Sequence, residues 1–502
     1  MSRLPGHHRA RGTAREHRIA KRLLLACSAI TLVQAASAQV QTPTADPPLS
    51  ETSPPVESSI DPHASDPHAP TRHVDMPRNP GALEGVAADG AAKPDGSNAP
   101  PATPQRDPQT PSEGVWPWRD ETLTGKWGGL RTDLKNAGID FEASMIFDIV
   151  SNFSGGIRTG TDYPHLFNLQ LTLDLGKLVG LEGAEIFALG QFEQGQFPSS
   201  ELVGDFQGVD NIALTTGLAQ LSQLWYRQSL LENRLSVQIG QLDYLYTFAS
   251  PTAGALFINN GMNYPAVSNV SGPFYPNQAF GVVLEGSPVE QVELSLAIYD
   301  GTIPPAIGAP SRDPGASTPS TFFDNVAGYF VAGEADFDWT LPGGRSGTIA
   351  LGGWGHTGEF PTFDGGVQDG LHGFYGYVQQ TLWLADEKDS NGPGMNAFLI
   401  GGVSEQSANP AAWSLAGGLE WQGPIDGRPQ DTAGFGFALV RFTDDATLFP
   451  KPYECTLEAF YILQLTPWLS IQPDLQFVID PGGESVAKSD ALVGILRFTV
   501  NF

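Results

Sequence analysis

Three things are scarce in this 502-residue chain, and each scarcity removes a class of protein. Cysteine occurs only as Cys27 and Cys455. Cleavage after Ala38 would leave Cys455 alone, so no intramolecular disulfide can hold the fold together. Positive charge is short as well, with 27 Lys and Arg against 55 Asp and Glu and a formal charge of −28. Removing Met1 to Ala38 takes seven basic residues and Glu16, which leaves 20 against 54 and a charge of −34. That balance sets nucleic acid aside as a partner and counts against a pore tuned for anions. Finally, no segment offers the ~18 unbroken apolar residues of a membrane helix. A membrane span, if present, is made of strands.

Reactive motifs are missing too: there is no HExxH zinc helix, GxSxG elbow, Walker-type phosphate loop or paired-cysteine metal site. No cofactor or metal is expected. A Ser, a His and an acid can still converge from separate strands, but only His165, His356 and His372 follow His73.

The N-terminus has organisation of another kind. Arg3, Arg9, Arg11, Arg15, Arg18, Lys21 and Arg22 precede an apolar stretch from Leu23 to Val33 and then Ala36-Ser37-Ala38, the pattern of a cleaved secretory signal over residues 1–38. Lipidation at Cys27 is disfavoured, because only four apolar residues separate it from Arg22 if Ala26 is counted with them. From residue 39 to 117 Pro, Ala, Ser, Thr, Gly and Asp dominate, and no aromatic precedes Trp116. Such a segment cannot bury enough apolar area to offset its ordering entropy, so it reads as a disordered periplasmic arm. The repeat Asp61-Pro62-His63, Asp66-Pro67-His68 reads as spacer in preference to a metal tract. In 118–138, Leu130 and Leu134 lie one turn apart and Gly138 supplies a stop, which predicts a short amphipathic helix serving as a plug or cap at a barrel mouth.

After Gly138 the hydrophobic period becomes two and stays there. Ile139, Phe141, Ala143, Met145, Phe147 and Ile149 alternate with more polar neighbours, as do Phe167 to Leu175 and Leu469 to Ile479. Comparable runs start near Ile139, Leu166, Ala184, Ala219, Leu235, Ala279, Val292, Gly328, Gly347, Gly373, Met395, Trp413, Ala433, Glu454, Trp468 and Asp490, about sixteen strands. In the final run, Leu492, Leu496, Phe498, Val500 and Phe502 form one greasy face, while Arg497 is expensive to bury unless its face is wet. This resembles the closing strand of a bacterial outer-membrane β-barrel, which carries the assembly signal. The expected fold is an all-β transmembrane antiparallel barrel over 139–502. Trp383, Trp421, Tyr461 and Trp468 sit where interfacial girdles would want them.

Several segments resemble the carbohydrate-selective outer-membrane porin (OprB) family: Leu123 to Arg131 (LTGKWGGLR), Gly352 to Gly358 (GGWGHTG), Gly427-Arg428-Pro429 with Asp431, and Leu465 to Gln476 (LTPWLSIQPDLQ) followed by Pro481-Gly482-Gly483. The resemblance runs from about Leu123 to Phe502. It implies a sixteen-stranded barrel through which monosaccharides and related small sugars diffuse down their gradients.

A sugar pore needs a constriction that touches the solute and walls that replace the waters stripped from its hydroxyls. Trp354 is the candidate stacking platform, and its competing role is packing against an inward-folded loop. His356 shares its face. Arg227, Glu193, Asp243, Glu458 and Asp474 lie on expected inner faces, where an unpaired Arg avoids the ~2–4 kcal/mol cost of facing lipid. The long segments Phe248 to Asn277 and Gly301 to Asp324 read as loops that fold into the lumen, with Asn259 and Asn260 as constriction candidates and Asp300 as a turn residue.

The partners this predicts are small sugars, outer-membrane lipid, the barrel-assembly machinery and, as an oligomer open to such a barrel, a homotrimer. The competing readings are a general cation-preferring porin, an outer-membrane barrel hydrolase, and an adhesin-like barrel plugged by the proline-rich arm.

Overall fold

The computed structural model describes residues 121–502 apart from 213–216, 269–271, 302–316, 326–327, 390–391, 445–447 and 484–487. The expected signal, arm and histidine repeat, and most of the expected 301–324 loop, lie outside the described residues. The strands are β1 (Ile139–Gly156), β2 (Gly160–Asp162), β3 (His165–Asp174), β4 (Ala184–Gln194), β5 (Leu218–Leu230), β6 (Leu235–Leu242), β7 (Ala279–Val289), β8 (Val292–Asp300), β9 (Tyr329–Leu341), β10 (Arg345–Pro361), β11 (Val367–Leu384), β12 (Gly394–Ser404), β13 (Ala411–Gln422), β14 (Thr432–Phe442), β15 (Tyr453–Thr466), β16 (Leu469–Ile479) and β17 (Ser489–Asn501). Apart from β2, each follows one of the alternating runs of the sequence. Most begin within two residues of the expected start; β11 begins six residues earlier, at Val367, and Trp468 proves to be a turn residue.

Each strand pairs antiparallel with its neighbour, and β17 pairs with β1 to close the cylinder (Met145 opposite Val500, Phe147 opposite Phe498). Sixteen strands make the wall, and β2 is a short addition against β1. Closure satisfies every ladder group without leaving an edge, the condition a sheet must meet in lipid. Connections at one end are brief, such as 342–344 and 467–468, whereas 195–217, 243–278 and 301–328 lie at the other.

Side-chain parity separates two surfaces. Leu296, Leu351, Phe374, Leu399, Leu419, Phe435 and Leu475 remain exposed on the outside, a belt untenable in water but matched to hydrocarbon. Trp383 and Trp421 stand exposed on the same surface. Inside, buried polar side chains such as Ser144, Asn168, Gln191, Glu334, Glu458 and Gln476 occupy the opposite parity. The hydrophobic core is displaced accordingly. It sits within the barrel, between inner wall and inward-folded loops, where Tyr244, Phe248, Tyr299, Phe330 and Trp354 pack in one cluster and Phe257, Phe398 and Phe460 in another. Gly373 stands opposite Trp354 because a Cβ there would come within 2.6 Å of the indole.

The seam between first and last strands is doubly secured. Inside it, Arg497 faces Asp148 in register and donates to it through Nε and Nη2 (3.0 and 2.7 Å), with Asn211 accepting at 2.7 Å, so the buried guanidinium is paired and solvated by protein. At the end where β17 finishes, the expected helix forms as Leu130–Ala137 and stops at Gly138 (φ +96). Leu134 packs on the wall, whereas Leu130 is exposed, so the amphipathic expectation holds for one of its two leucines. Arg131 joins this segment to both strands: Nη1 donates to the Phe502 backbone oxygen (2.8 Å) and the Thr122 hydroxyl (2.8 Å), and Nη2 donates to the Phe141 carbonyl (3.1 Å). The Leu123 N–H adds a bond to the Asn501 carbonyl at 2.8 Å. The LTGKWGGLR motif is therefore a clasp on the seam.

At the same end Asp431 accepts from Arg428, from the Tyr461 hydroxyl (2.7 Å) and from the Gln464 N–H (3.0 Å). Burial pushes its pKa up, but the hydrogen bonds from Arg428 and Tyr461 outweigh that and hold it below the ordinary carboxylate value.

Two outcomes follow for stability. Arg131→Ala should keep the strand content but lower the temperature at which the barrel loses its heat-modifiable gel mobility, the loss of hydrogen bonds to a charged group being worth about 1.5–3 kcal/mol each before relaxation. Because the Asp431 pKa is depressed in the fold, its contribution is present above about pH 4 and fades as pH falls through the lowered value. Asp431→Asn should therefore weaken the barrel at neutral pH and flatten the acid limb of its unfolding-temperature profile.

Candidate pore constriction

Two loops enter the barrel, and wall side chains capture their backbones. The longer, between β6 and β7, is closed at its base by Asp243, whose carboxylate accepts from the N–H groups of Leu245 and Tyr275 (both 2.9 Å) and from Gln278 (3.3 Å). Moving around the lumen, Glu334 of β9 accepts from the Ala249 N–H at 2.8 Å and Gln379 of β11 from the Ala253 N–H at 3.0 Å. Glu420 of β13 then accepts from the Gly254 N–H at 2.8 Å, and Glu458 of β15 from the N–H groups of Ile258 (2.6 Å) and Asn259 (3.1 Å). The Asn259 side chain reaches Gln476 of β16 (3.1 Å), which in turn donates to Asp474 (3.1 Å). A chain touching the inner faces of β9 through β16 crosses the lumen.

The loop between β4 and β5 enters from the neighbouring side. Its Phe206 and Gln207 N–H groups donate to Glu454 (2.6 and 2.9 Å), which also accepts from Gly482 (2.5 Å), and Gly208 accepts from the Asn260 N–H at 3.0 Å to join the two loops. An extended loop carries backbone donors that would be orphaned in a dry core. Carboxylates on β9, β13 and β15 supply charge-assisted acceptors for those donors, and the Gln379 amide oxygen on β11 supplies a neutral one.

Most of the residues singled out in the sequence meet at this joint. Asp243, Asn259, Asn260, Glu458 and Asp474 belong to it, and Glu193 accepts from the Tyr275 hydroxyl (3.0 Å) on the loop's returning limb. All six are buried; five of them bind loop to wall or loop to loop, and Asp474 accepts from its wall neighbour Gln476. Trp354 is covered: its ring stacks on Phe330 (5.9 Å, 17°), its N–H donates to Ser268 of the loop (3.1 Å), and 4 % of it is exposed. The stacking-platform expectation gives way to packing against an inward loop, because the loop occupies the space a solute would need. His356 lies in the same core, its Nδ1 accepting from Gly358 (2.9 Å) and its ring edge-on to Phe360. Arg227 stands apart, half-buried on β5 in register with Glu185 and Gln238. Asp300 accepts from the hydroxyls of Ser317 (2.7 Å) and Thr321 (2.5 Å), tying the end of β8 to the short helix Pro319–Asp324, which is itself capped by Thr318.

Sequence reasoning missed Glu334, Glu420 and Glu454 and the entry of the 195–217 loop. Parity could have found the acids, since all three fall on inner positions of alternating runs. Nothing local says which loop they would bind. The three late histidines do not converge: His165 and His372 are on the outer parity beside Phe147 and Phe374, and His356 is inside.

The model of the carbohydrate-selective porin, OprB family matches residues 158–502, more than half of the chain. The chain belongs to that family. It is 25% identical over 430 residues to Porin B of Pseudomonas aeruginosa, covering 75% of this chain and 91% of that protein, and 23% identical over 424 residues to the putative porin QuiX of Acinetobacter baylyi, covering 77% and 94%. The high-pH structure of OprB from Pseudomonas putida superposes with a TM-score of 0.66 at 21% identity, over 77% of this chain and 99% of that one. The low-pH structure of the same protein gives 0.51 at 19% identity. As an OprB-family barrel, this chain is a carbohydrate-selective channel of the bacterial outer membrane.

Glu458→Ala should remove both acceptors that pin Ile258 and Asn259. Single-channel recordings should then show larger and noisier conductance than wild type, with the barrel still closed; unchanged conductance would mean that the loop is held without this carboxylate.

Proposed function

We propose that this channel passes small neutral sugars such as monosaccharides by passive diffusion, through an aperture left by the 195–217 and 243–278 loops. The observation that carries this reading is the row of wall carboxylates spent on loop backbone. With those charges committed to internal hydrogen bonds, the narrow zone has a fixed width and offers a solute weak, exchangeable contacts in place of a strong ionic site. Arg227 lies on the solute's path; the other eight candidates shape the aperture from behind. Met1 to Ala38 directs export, residues 39–117 form a periplasmic arm, and the closing strand is what the assembly machinery reads. No catalytic step is assigned, because the histidines a hydrolase would need are on opposite surfaces.

A second reading has its own support. The inner positions of β7 to β9 carry Glu285, Glu293, Asp336 and Asp338, with Asp336 accepting from Tyr377 (2.8 Å) and Asp338 from Thr348 (2.7 Å). An acidic wall favours cations. Sugar passage and cation preference are then two properties of one lumen.

Liposome swelling with sugars of graded size tests the proposal. Monosaccharides should enter several-fold faster than disaccharides, and glucose should reduce the ion conductance of a planar bilayer saturably. Conductance indifferent to glucose would leave the cation-preferring porin.

A further inference from the structure

With Trp354 covered by the loop, an aromatic surface that still faces the lumen lies elsewhere on the wall. Phe187 of β4 stands opposite Trp225 of β5, and the rings stack with centroids 4.9 Å apart and planes at 21°. Their inward direction follows from parity. Phe187 shares the face of Gln191 and Glu193, whose side chains bond inner-wall Asn168 (3.0 Å) and loop residue Tyr275 (3.0 Å), and no irregularity in the β3–β4 register intervenes. Both rings are half-buried, unlike the fully packed aromatics of the loop core. Trp225 and Leu245 each pack against the edge of that core, which puts the pair at the foot of the inward loop.

The surroundings keep this pair in place and accessible. The Trp225 N–H donates to Gln223 (3.2 Å), which fixes the indole. On the next strand the residue opposite Trp225 is Gly240, at φ +148, where a Cβ would come within 2.2 Å of the Leu224 carbonyl and 2.8 Å of the Trp225 Cβ. One register step along the wall, Glu185 stands opposite Arg227 and Arg227 opposite Gln238. An acceptor, a donor and an amide thus border a flat apolar face, and none of the hydrogen bonds that hold the two loops uses them.

We propose that Phe187 and Trp225 form the sugar-facing platform of this channel. The CH face of a neutral pyranose slides over the aromatic pair while Glu185, Arg227 and Gln238 exchange hydrogen bonds with its hydroxyls. The pair gives the channel its preference for a ring sugar over an open-chain polyol of equal size. This assignment rests on the sugar-channel reading above.

The test uses the full-length protein in planar bilayers and liposomes, comparing wild type with Trp225→Leu, Phe187→Leu and Trp225→Phe. The readouts are the glucose concentration that half-blocks ion current and the swelling rate in glucose against sorbitol. Either leucine variant should raise the half-blocking concentration by about two- to tenfold and equalise glucose with sorbitol. Trp225→Phe should restore most of the preference. A wild-type protein blocked by glucose, with both leucine variants blocked equally well, would overturn the platform and leave the sugar channel standing. A wild-type protein indifferent to glucose would overturn both.

Discussion

Capture of loop backbone by wall carboxylates is the interaction on which the rest of this structure depends. A sixteen-stranded cylinder by itself encloses an aqueous hole too wide to touch a small solute. Selectivity requires that protein be brought inside, and protein brought inside arrives with N–H groups that need acceptors. Glu334 on β9, Glu420 on β13, and Glu454 and Glu458 on β15 meet that need, and the aromatic residues of the loops then fill the remaining space. The strong acidic excess of the chain is thus partly structural: several inner acids bind the protein to itself.

Closure is the second constraint, and it explains where the chain invests at its seam. Every other ladder of the wall joins strands that follow one another along the chain, but β1 and β17 meet from the far ends of the fold. The Arg497–Asp148 pair inside and the Arg131 clasp at the rim supply the missing local reinforcement. They use the same side chain in different dielectric settings, one fully enclosed and paired, the other bonded to backbone oxygens at a strand end.

How far the sequence could be read depended on the range of the physics involved. The inner and outer faces of β1, β3 and β16 were legible because alternation needs only neighbours along one strand. The helix at 130–137 was legible from its spacing and from Gly138. The inner placement of Glu458, Asp474 and Arg227 followed from the same parity, as did the inward course of the 243–278 loop from its length and composition. Trp354 shows the limit: its face was correctly read, yet whether that face met water or protein depended on a loop nearly ninety residues earlier in the chain. Phe187 and Trp225 went unnoticed for the converse reason, since they are ordinary strand aromatics until the β4–β5 register stacks them.

The sequence by itself determined the period of two, the polarity of each face, the number of crossings and the family, because these are properties of short segments and of their repetition. The tertiary structure alone decided which polar groups face solute and which are consumed in holding loops, because that choice depends on backbone donors near residues 249–259 meeting carboxylates 85 to 200 positions away. Local propensity carries no information across such separations. Only closure of the cylinder brings those groups within hydrogen-bonding distance.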